Sequence, residues 1–246
     1  MSAVVSIETP TAVFIITDGA IYDADNILLD VRRKVTVSER VPAAVATRGN
    51  QGVGDYFAAK IIDAIERMGF DAAMIALADV LPQFADKDRM TKFEATIAGI
   101  SEEYGPRRLV FRSDVDPLAL EHDGVGSSCA TSDAGLVEMG IRGRAPLEPW
   151  KGYIREIAIP IMQFYREAAV PGVKGETFAQ PAHLVGGQVD FTIITRQGVT
   201  VETIHRWDDK LGERIAPFVK RQTVKAFPGL NRQQRRAAER ALSKTA

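Results

Sequence analysis

The sequence predicts an α+β fold, a four-layer αββα sandwich in which two antiparallel sheets lie between two layers of helices. The predicted elements follow the order strands, two helices, strands, two helices, strands, which does not alternate as a parallel sheet requires. Several neighbouring strands are separated only by short turn segments, as in hairpins. A chain of 246 residues is also long enough to bury about 70–75% of its unfolded surface.

Four strands are predicted in the first fifty residues, over 3–7, 11–17, 27–31 and 34–46. Each is a short apolar run bounded by turn residues. The last is open to a break at Pro42, because proline is rare inside a sheet.

Two helices and a hairpin are predicted next. Apolar residues recur at helical spacing from Val53 to Met68, and a second helix covers Asp71 to Leu81. The strands 92–100 and 107–113 are expected to pair, since a turn-rich segment joins them.

The second half of the chain repeats this pattern. A helical stretch ending at Met139 precedes a long helix over 150–169, in which Pro160 predicts a kink. The strands 188–196 and 198–207 form the last predicted hairpin.

The last segment differs in composition, and we place a boundary before it. Residues 1–219 are predicted to form the folded domain, and residues 220–246 a basic helix or tail. Basic runs of this kind usually form a solvated helix face, so we do not expect nucleic-acid binding. Contact with an acidic surface of a partner subunit is the alternative.

Composition excludes several classes of protein. The net charge of −1 gives no sign of a nucleic-acid or membrane partner, and Cys129 is the only cysteine, which favours a reducing cytoplasm. The N-terminus lacks the basic region of a signal peptide. No apolar stretch reaches the roughly 18 residues that a membrane helix needs.

A glycine-rich segment, "ATRGNQGVGDYFAAK", lies between a predicted strand and a predicted helix, where a dinucleotide could bind. It resembles the phosphate-binding loop of short-chain dehydrogenases, with Thr47, Gly52 and Gly54 in place. Arg48 stands where that family has its first glycine, and four predicted strands precede the loop instead of one. An NAD(P)-binding oxidoreductase is therefore the lowest-ranked function.

A different chemistry is indicated by Ser2, Asp18 and Lys34. An N-terminal serine can serve as nucleophile and base, because its α-amine has a pKa of about 8 and lies beside the hydroxyl. A nearby lysine lowers the pKa of that amine, and a carboxylate reduces the unfavourable burial of the lysine. Ser2 follows a methionine that processing normally removes before a small residue.

These three residues lie in segments that resemble the proteasome-type N-terminal-nucleophile (Ntn) hydrolases, the β-type proteasome subunits and their bacterial relatives. "AVFIITD" is similar to that family's strand leading to its acid, "RRKV" to its lysine strand and "AAVATRG" to the strand before its first helix. Weaker similarity continues through "FEATIAGISEEYGPRRLVF", "GVGSS" and "VGGQVDFTIITRQGV". It covers roughly residues 2–205.

The resemblance implies a peptidase that cleaves amide bonds through an acyl-enzyme and needs no cofactor or metal. Ser2, Asp18 and Lys34 would be catalytic. The oxyanion would be bound by backbone N–H groups in the turn that contains Thr47, Arg48 and Gly49, and a serine from the Gly-Ser turn, Ser127 or Ser128, would support the nucleophile. All are expectations from the resemblance.

The resemblance also implies a ring or other homo-oligomer that encloses the sites, a peptide or protein substrate, and possible delivery by an ATP-dependent unfoldase.

One departure from the family's pattern supports an alternative function. Where the family has an Asp and a Ser before its Gly-Gly turn, this chain has Ala182 and Val185. A non-catalytic assembly subunit of the same fold is therefore the second hypothesis.

Overall fold

The computed structural model describes residues 3–81, 92–115, 118–122, 124–128, 150–169 and 182–218. The chain divides into two compact units, Met1–Ile215 and Ala216–Ala246, and the fold described below is that of the first. The described residues do not include the predicted helical stretch that ends at Met139, nor Cys129, nor the basic segment 220–246.

The described residues form strands and helices in the following chain order: β1 (Val4–Glu8), β2 (Val13–Asp18), β3 (Ala20–Tyr22), β4 (Leu28–Val31), β5 (Val35–Val37), β6 (Ala43–Gly49), α1 (Gln51–Met68), α2 (Phe70–Val80), β7 (Phe93–Ser101), β8 (Gly105–Arg112), β9 (Leu120–His122), β10 (Val125–Ser128), α3 (Trp150–Glu167), β11 (Gln188–Thr195) and β12 (Gly198–Arg206). The fold is therefore mixed, and all of its strand pairs are antiparallel among the described residues.

Two five-stranded sheets carry the architecture. The first has the order β10-β1-β2-β11-β12 and the second the order β5-β6-β7-β8-β9, while β3 and β4 form a separate hairpin. The alternation of side chains gives each large sheet two apolar faces. One face of the first sheet packs on α3, and one face of the second packs on α1 and α2.

A third apolar cluster joins residues from both large sheets. Val4, Val13 and Ile15 of the first sheet pack with Ala44 and Ala46 of the second. The small alanine side chains allow the two sheets to approach each other closely. The candidate site described below lies at one margin of this layer.

Helix α1 begins and ends through local chemistry. Asn50 caps its start, since the side-chain Oδ1 accepts a hydrogen bond from the Val53 N–H at 3.1 Å. Gly69 ends it with a φ of 89°, a left-handed value that favours glycine. Its buried residues fall on one face, as the spacing predicts.

The predicted strand 34–46 is two strands, β5 and β6, which pair with each other. The turn between them is held by Glu66 of α1, whose carboxylate accepts hydrogen bonds from the Ser38 hydroxyl and the Glu39 N–H, both at 2.8 Å. The break that the sequence left open at Pro42 is therefore present, and β6 begins at the next residue. The short strands β3, β9 and β10 were not predicted.

The hairpins β7–β8 and β11–β12 confirm the predicted pairings. The long helix α3 runs from Trp150 to Glu167 with Pro160 inside it. Within the described part of the chain, no helix combines the length and the apolar character that crossing a membrane requires.

The tightest contact between a helix and a sheet gives a stability prediction. A Cβ added at buried Gly99 of β7 would lie 2.3 Å from two ring atoms of Phe70 in α2. Gly99→Ala should therefore lower the free energy of unfolding by about 1–3 kcal/mol, as overpacking does. Gly152→Ala is the control, because nothing lies within 4 Å of that Cβ, and it should be neutral or slightly stabilising. Urea denaturation of both variants measures this; equal stability of the two would contradict the packing argument.

Candidate active site

The centre of the candidate site is the carboxylate of Asp18, the last residue of β2. It is fully buried and accepts four hydrogen bonds. Oδ1 accepts from the Ala3 N–H and from the Lys34 ammonium, both at 3.0 Å. Oδ2 accepts from the Ala20 N–H at 3.1 Å and the Gly186 N–H at 3.3 Å. These four donors orient the carboxylate. They also compensate its negative charge, which burial would otherwise make unfavourable.

Lys34 lies directly before β5, and its side chain is only 5% exposed. Its backbone C=O accepts a hydrogen bond from the Thr47 N–H at 3.4 Å, which ties it to β6. Burial lowers the pKa of Lys34 below its usual 10.5, and this effect exceeds the opposing effect of the Asp18 charge. Arg32 lowers the pKa further, and Asp190 raises it. Lys34 is thus a lysine whose proton is held less tightly than usual.

Asp190 is a second fully buried carboxylate, placed on β11. It lies opposite Thr17 in the register between β11 and β2, one residue from the position opposite Asp18. Its carboxylate accepts hydrogen bonds from Gln188 Nε2 at 2.8 and 3.0 Å and from Thr203 Oγ1 at 2.6 Å. Because its charge acts on Lys34, Asp190 belongs to the electrostatics of the site.

Ser2, the predicted nucleophile, lies outside the described residues. Its neighbour Ala3 is described and is fully buried. Ala3 and Asp18 exchange two hydrogen bonds, from Ala3 N–H to the side chain and from Asp18 N–H to the Ala3 C=O at 3.3 Å. The chain therefore enters the first sheet at the Asp18 carboxylate.

Two residues of the predicted oxyanion segment, Thr47 and Gly49, have structural roles in the fold. The Thr47 N–H donates to Lys34, and the Thr47 side chain lies under α1, where a Cβ at Gly54 would come within 2.9 Å of its hydroxyl. Gly49 has a φ of 99°, and a Cβ there would lie 2.5 Å from the Lys92 carbonyl oxygen. The predicted turn is in fact the end of strand β6, paired with β7, and an oxyanion role for its backbone stays a prediction.

Ser127 and Ser128 are placed by their backbones alone. They end β10 and lie opposite Val5 and Val4 of β1, at the same end of the sheet as Ala3. Their side chains lie outside the described part of the structure. Ala182 and Val185 occupy the positions where the proteasome-type family has an Asp and a Ser. Both are buried among apolar side chains.

The glycines of the predicted dinucleotide loop have local explanations. Gly49 needs a left-handed conformation and Gly54 packs on Thr47, while Gly52 is exposed. The preceding strand β6 lies between antiparallel neighbours, whereas dinucleotide-binding sheets of this kind are parallel. In the described residues, no group of three or more His, Cys, Asp or Glu side chains could hold a metal ion.

Sequence reasoning missed two contributors to the site. Asp190 was detectable as a charged residue inside the apolar run "QVDFTIIT", where a buried carboxylate needs partners. The Gly186 N–H gave no such signal, because a backbone group leaves no trace in residue type. Its role depends on a long-range contact.

Replacement of Lys34 by an apolar side chain should strongly destabilise the fold, because Asp18 Oδ1 loses its side-chain hydrogen-bond donor. Lys34→Met leaves the Asp18 carboxylate buried without its ammonium partner, and such changes lower the free energy of unfolding by about 3–5 kcal/mol. Arg155→Met breaks an exposed ion pair with Glu202 and should have a much smaller effect. Denaturation at pH 7 compares the two, and equal losses would contradict the assigned burial of the Asp18–Lys34 pair.

The same variant has a defined pH dependence. Since the pKa of Lys34 is lower in the folded protein than the 10.5 of the unfolded chain, the unfolded state holds more protons between those two values. Compared with a neutral lysine at the same position, the charged Lys34 lowers the free energy of unfolding. This effect is complete below the folded pKa and disappears as the pH rises to 10.5. The stability difference between wild type and Lys34→Met should therefore grow with pH in this window, as measured by denaturation at several pH values.

No known family model matches the chain, and no curated protein matches its sequence. The function is therefore inferred from the residues and their geometry.

Proposed function

We propose that this protein is a proteasome-like Ntn hydrolase that cleaves amide bonds through an acyl-enzyme on Ser2. The observation that carries the proposal is the buried Asp18–Lys34 pair, 3.0 Å apart, at the point where the first residues of the chain join the sheet. Residues whose pKa is shifted by desolvation together with a specific charged partner are concentrated at functional sites.

The proposed architecture is the four-layer αββα sandwich. Three apolar clusters support it: one between α3 and the first sheet, one among residues of both sheets, and one between the second sheet and helices α1 and α2. This succession is the order of layers that such a sandwich has. The site would then open between the two sheets.

In the proposed mechanism, removal of Met1 frees the α-amine of Ser2. The Ser2 hydroxyl attacks the substrate carbonyl while the amine, or a water that it holds, takes the hydroxyl proton. The C–N bond then breaks, the leaving amine receives that proton, and water later hydrolyses the ester. Lys34 keeps the α-amine neutral and stabilises developing negative charge, and Asp18 orients Lys34.

A serine-directed electrophile tests this mechanism. Mass spectrometry of the intact protein should show loss of Met1, followed by a single adduct that peptide mapping places on Ser2. Ser2→Ala should abolish the adduct, and Asp18→Asn should slow its formation by about 10²-fold or more, as expected for loss of an oriented catalytic group. Retention of Met1, or an unmodified Ser2 in the folded protein, would refute the mechanism.

The second candidate function is that of a non-catalytic assembly subunit with the same fold. The apolar environment of Ala182 and Val185 favours it, because these positions offer no polar side chain to the terminal amine. Both functions include self-association, and a ring would enclose the sites and admit a peptide or protein chain, with or without an ATP-dependent unfoldase. Cytoplasmic location stays a prediction.

Sedimentation velocity tests the self-association that both functions share, and the Ser2 adduct separates them. We expect an oligomer that survives Ser2→Ala unchanged, because the nucleophile is not needed for contacts between subunits. An oligomer whose wild type forms no adduct on Ser2 would favour the assembly subunit. A monomer at all concentrations would exclude the ring for both functions.

A further inference from the structure

A buried ion pair lies on the opposite side of the Gly186–Gly187 turn from Asp18. Arg166, near the end of α3, binds Asp209, which follows β12, through two hydrogen bonds of 2.8 and 2.6 Å. Each side chain is only 7% exposed. Bidentate arginine–carboxylate pairs fix geometry as well as charge.

This ion pair encloses the backbone of the turn. Asp209 Oδ2 accepts a hydrogen bond from the Gly187 N–H at 2.7 Å, and Arg166 Nη1 donates to the Val185 C=O at 3.0 Å. A Cβ added at Gly186 would lie 2.6 Å from Asp209 Oδ2 and 2.8 Å from Arg166 Nη1. Any side chain at this position would force the ion pair or Ile215 to shift.

The other side of the turn contacts the candidate site. The Gly186 N–H donates to Asp18 Oδ2 at 3.3 Å, and the Gly186 C=O accepts from the Gly19 N–H at 3.1 Å. Gly186 therefore connects the ion pair to both Asp18 and the residue that follows it. A shift of the turn would change the direction of the Asp18 carboxylate.

We propose that Arg166 and Asp209 are positioning residues of the hydrolase site: their ion pair holds the Gly186–Gly187 turn so that its amide orients Asp18 toward Lys34. The inference rests on the proposed function for its catalytic consequence. In this chain the turn is held through backbone groups of Val185 and Gly187.

A second ion pair in the same region supplies a matched control. Arg155, also on α3, binds Glu202 of β12 through two hydrogen bonds of 2.8 and 2.7 Å, and both side chains are largely exposed. This pair ties the same helix to the first sheet without touching the turn. Glu202→Gln therefore measures the effect of losing an ion pair between α3 and the first sheet that does not contact the turn.

The experiment compares Asp209→Asn with Glu202→Gln in the full chain. Acylation of Ser2 by a serine-directed electrophile is measured as a maximal rate and a concentration for half-maximal rate. Asp209→Asn should lower the maximal rate by about 10- to 100-fold, with little change in the half-maximal concentration, because small misplacements of catalytic groups have effects of this size. Asp209→Glu, which keeps the charge, should recover part of the rate, and Glu202→Gln should match wild type.

A second readout does not depend on catalysis. Hydrogen exchange of the Gly186 amide, followed by NMR, should be at least about 10-fold faster in Asp209→Asn than in Glu202→Gln, since the turn then opens more often. If wild type forms no adduct on Ser2, the proposed function fails, and the exchange result still decides whether the pair holds the turn. Unchanged Gly186 exchange, or equal slowing of acylation in the Asp209 and Glu202 variants, would overturn the inference.

Discussion

The burial of the Asp18 carboxylate is the constraint on which the rest of the site depends. A charge without solvent must be met by donors, and four separate parts of the chain supply them: the start of β1, the residue before β5, the start of β3 and the Gly186–Gly187 turn. Each of these segments must therefore be held to within a fraction of an ångström. Strand pairing in the two large sheets places the segments next to β1 and β5.

The electrostatics of the site follow from the same burial. Lys34 is drawn toward the neutral form by desolvation and toward the charged form by Asp18 and Asp190. The balance gives a buried lysine whose pKa is lowered while its side chain stays hydrogen-bonded to Asp18. A lysine at the surface would have neither property, because solvent would screen both effects.

Much of this arrangement could be predicted from local sequence, and the remainder could not for physical reasons. The apolar run before Asp18 predicts a buried strand, and the spacing to Lys34 predicts that a second strand begins there; the structure places the two charges 3.0 Å apart. Pro42 left a break in the strand 34–46 open, but the residue that holds the resulting turn, Glu66 of α1, could not be predicted because its contact is tertiary. Strands β9 and β10 are too short for periodicity to reveal. The contacts of Asp18 with Gly186 and of Asp209 with Gly187 use backbone N–H groups, which residue types do not record.

The hydrogen bond from Gly186 to Asp18 spans 168 residues of sequence, and this separation has a consequence for folding. Contacts between distant parts of a chain form late, because closing a long loop must precede any stabilisation that the contact brings. During synthesis, the first sheet lacks β11 and the turn before it until Gly186 and the residues after it have emerged. The Asp18 carboxylate therefore obtains its last donor long after β2 has been made, which couples its full set of hydrogen bonds to the assembly of the first sheet.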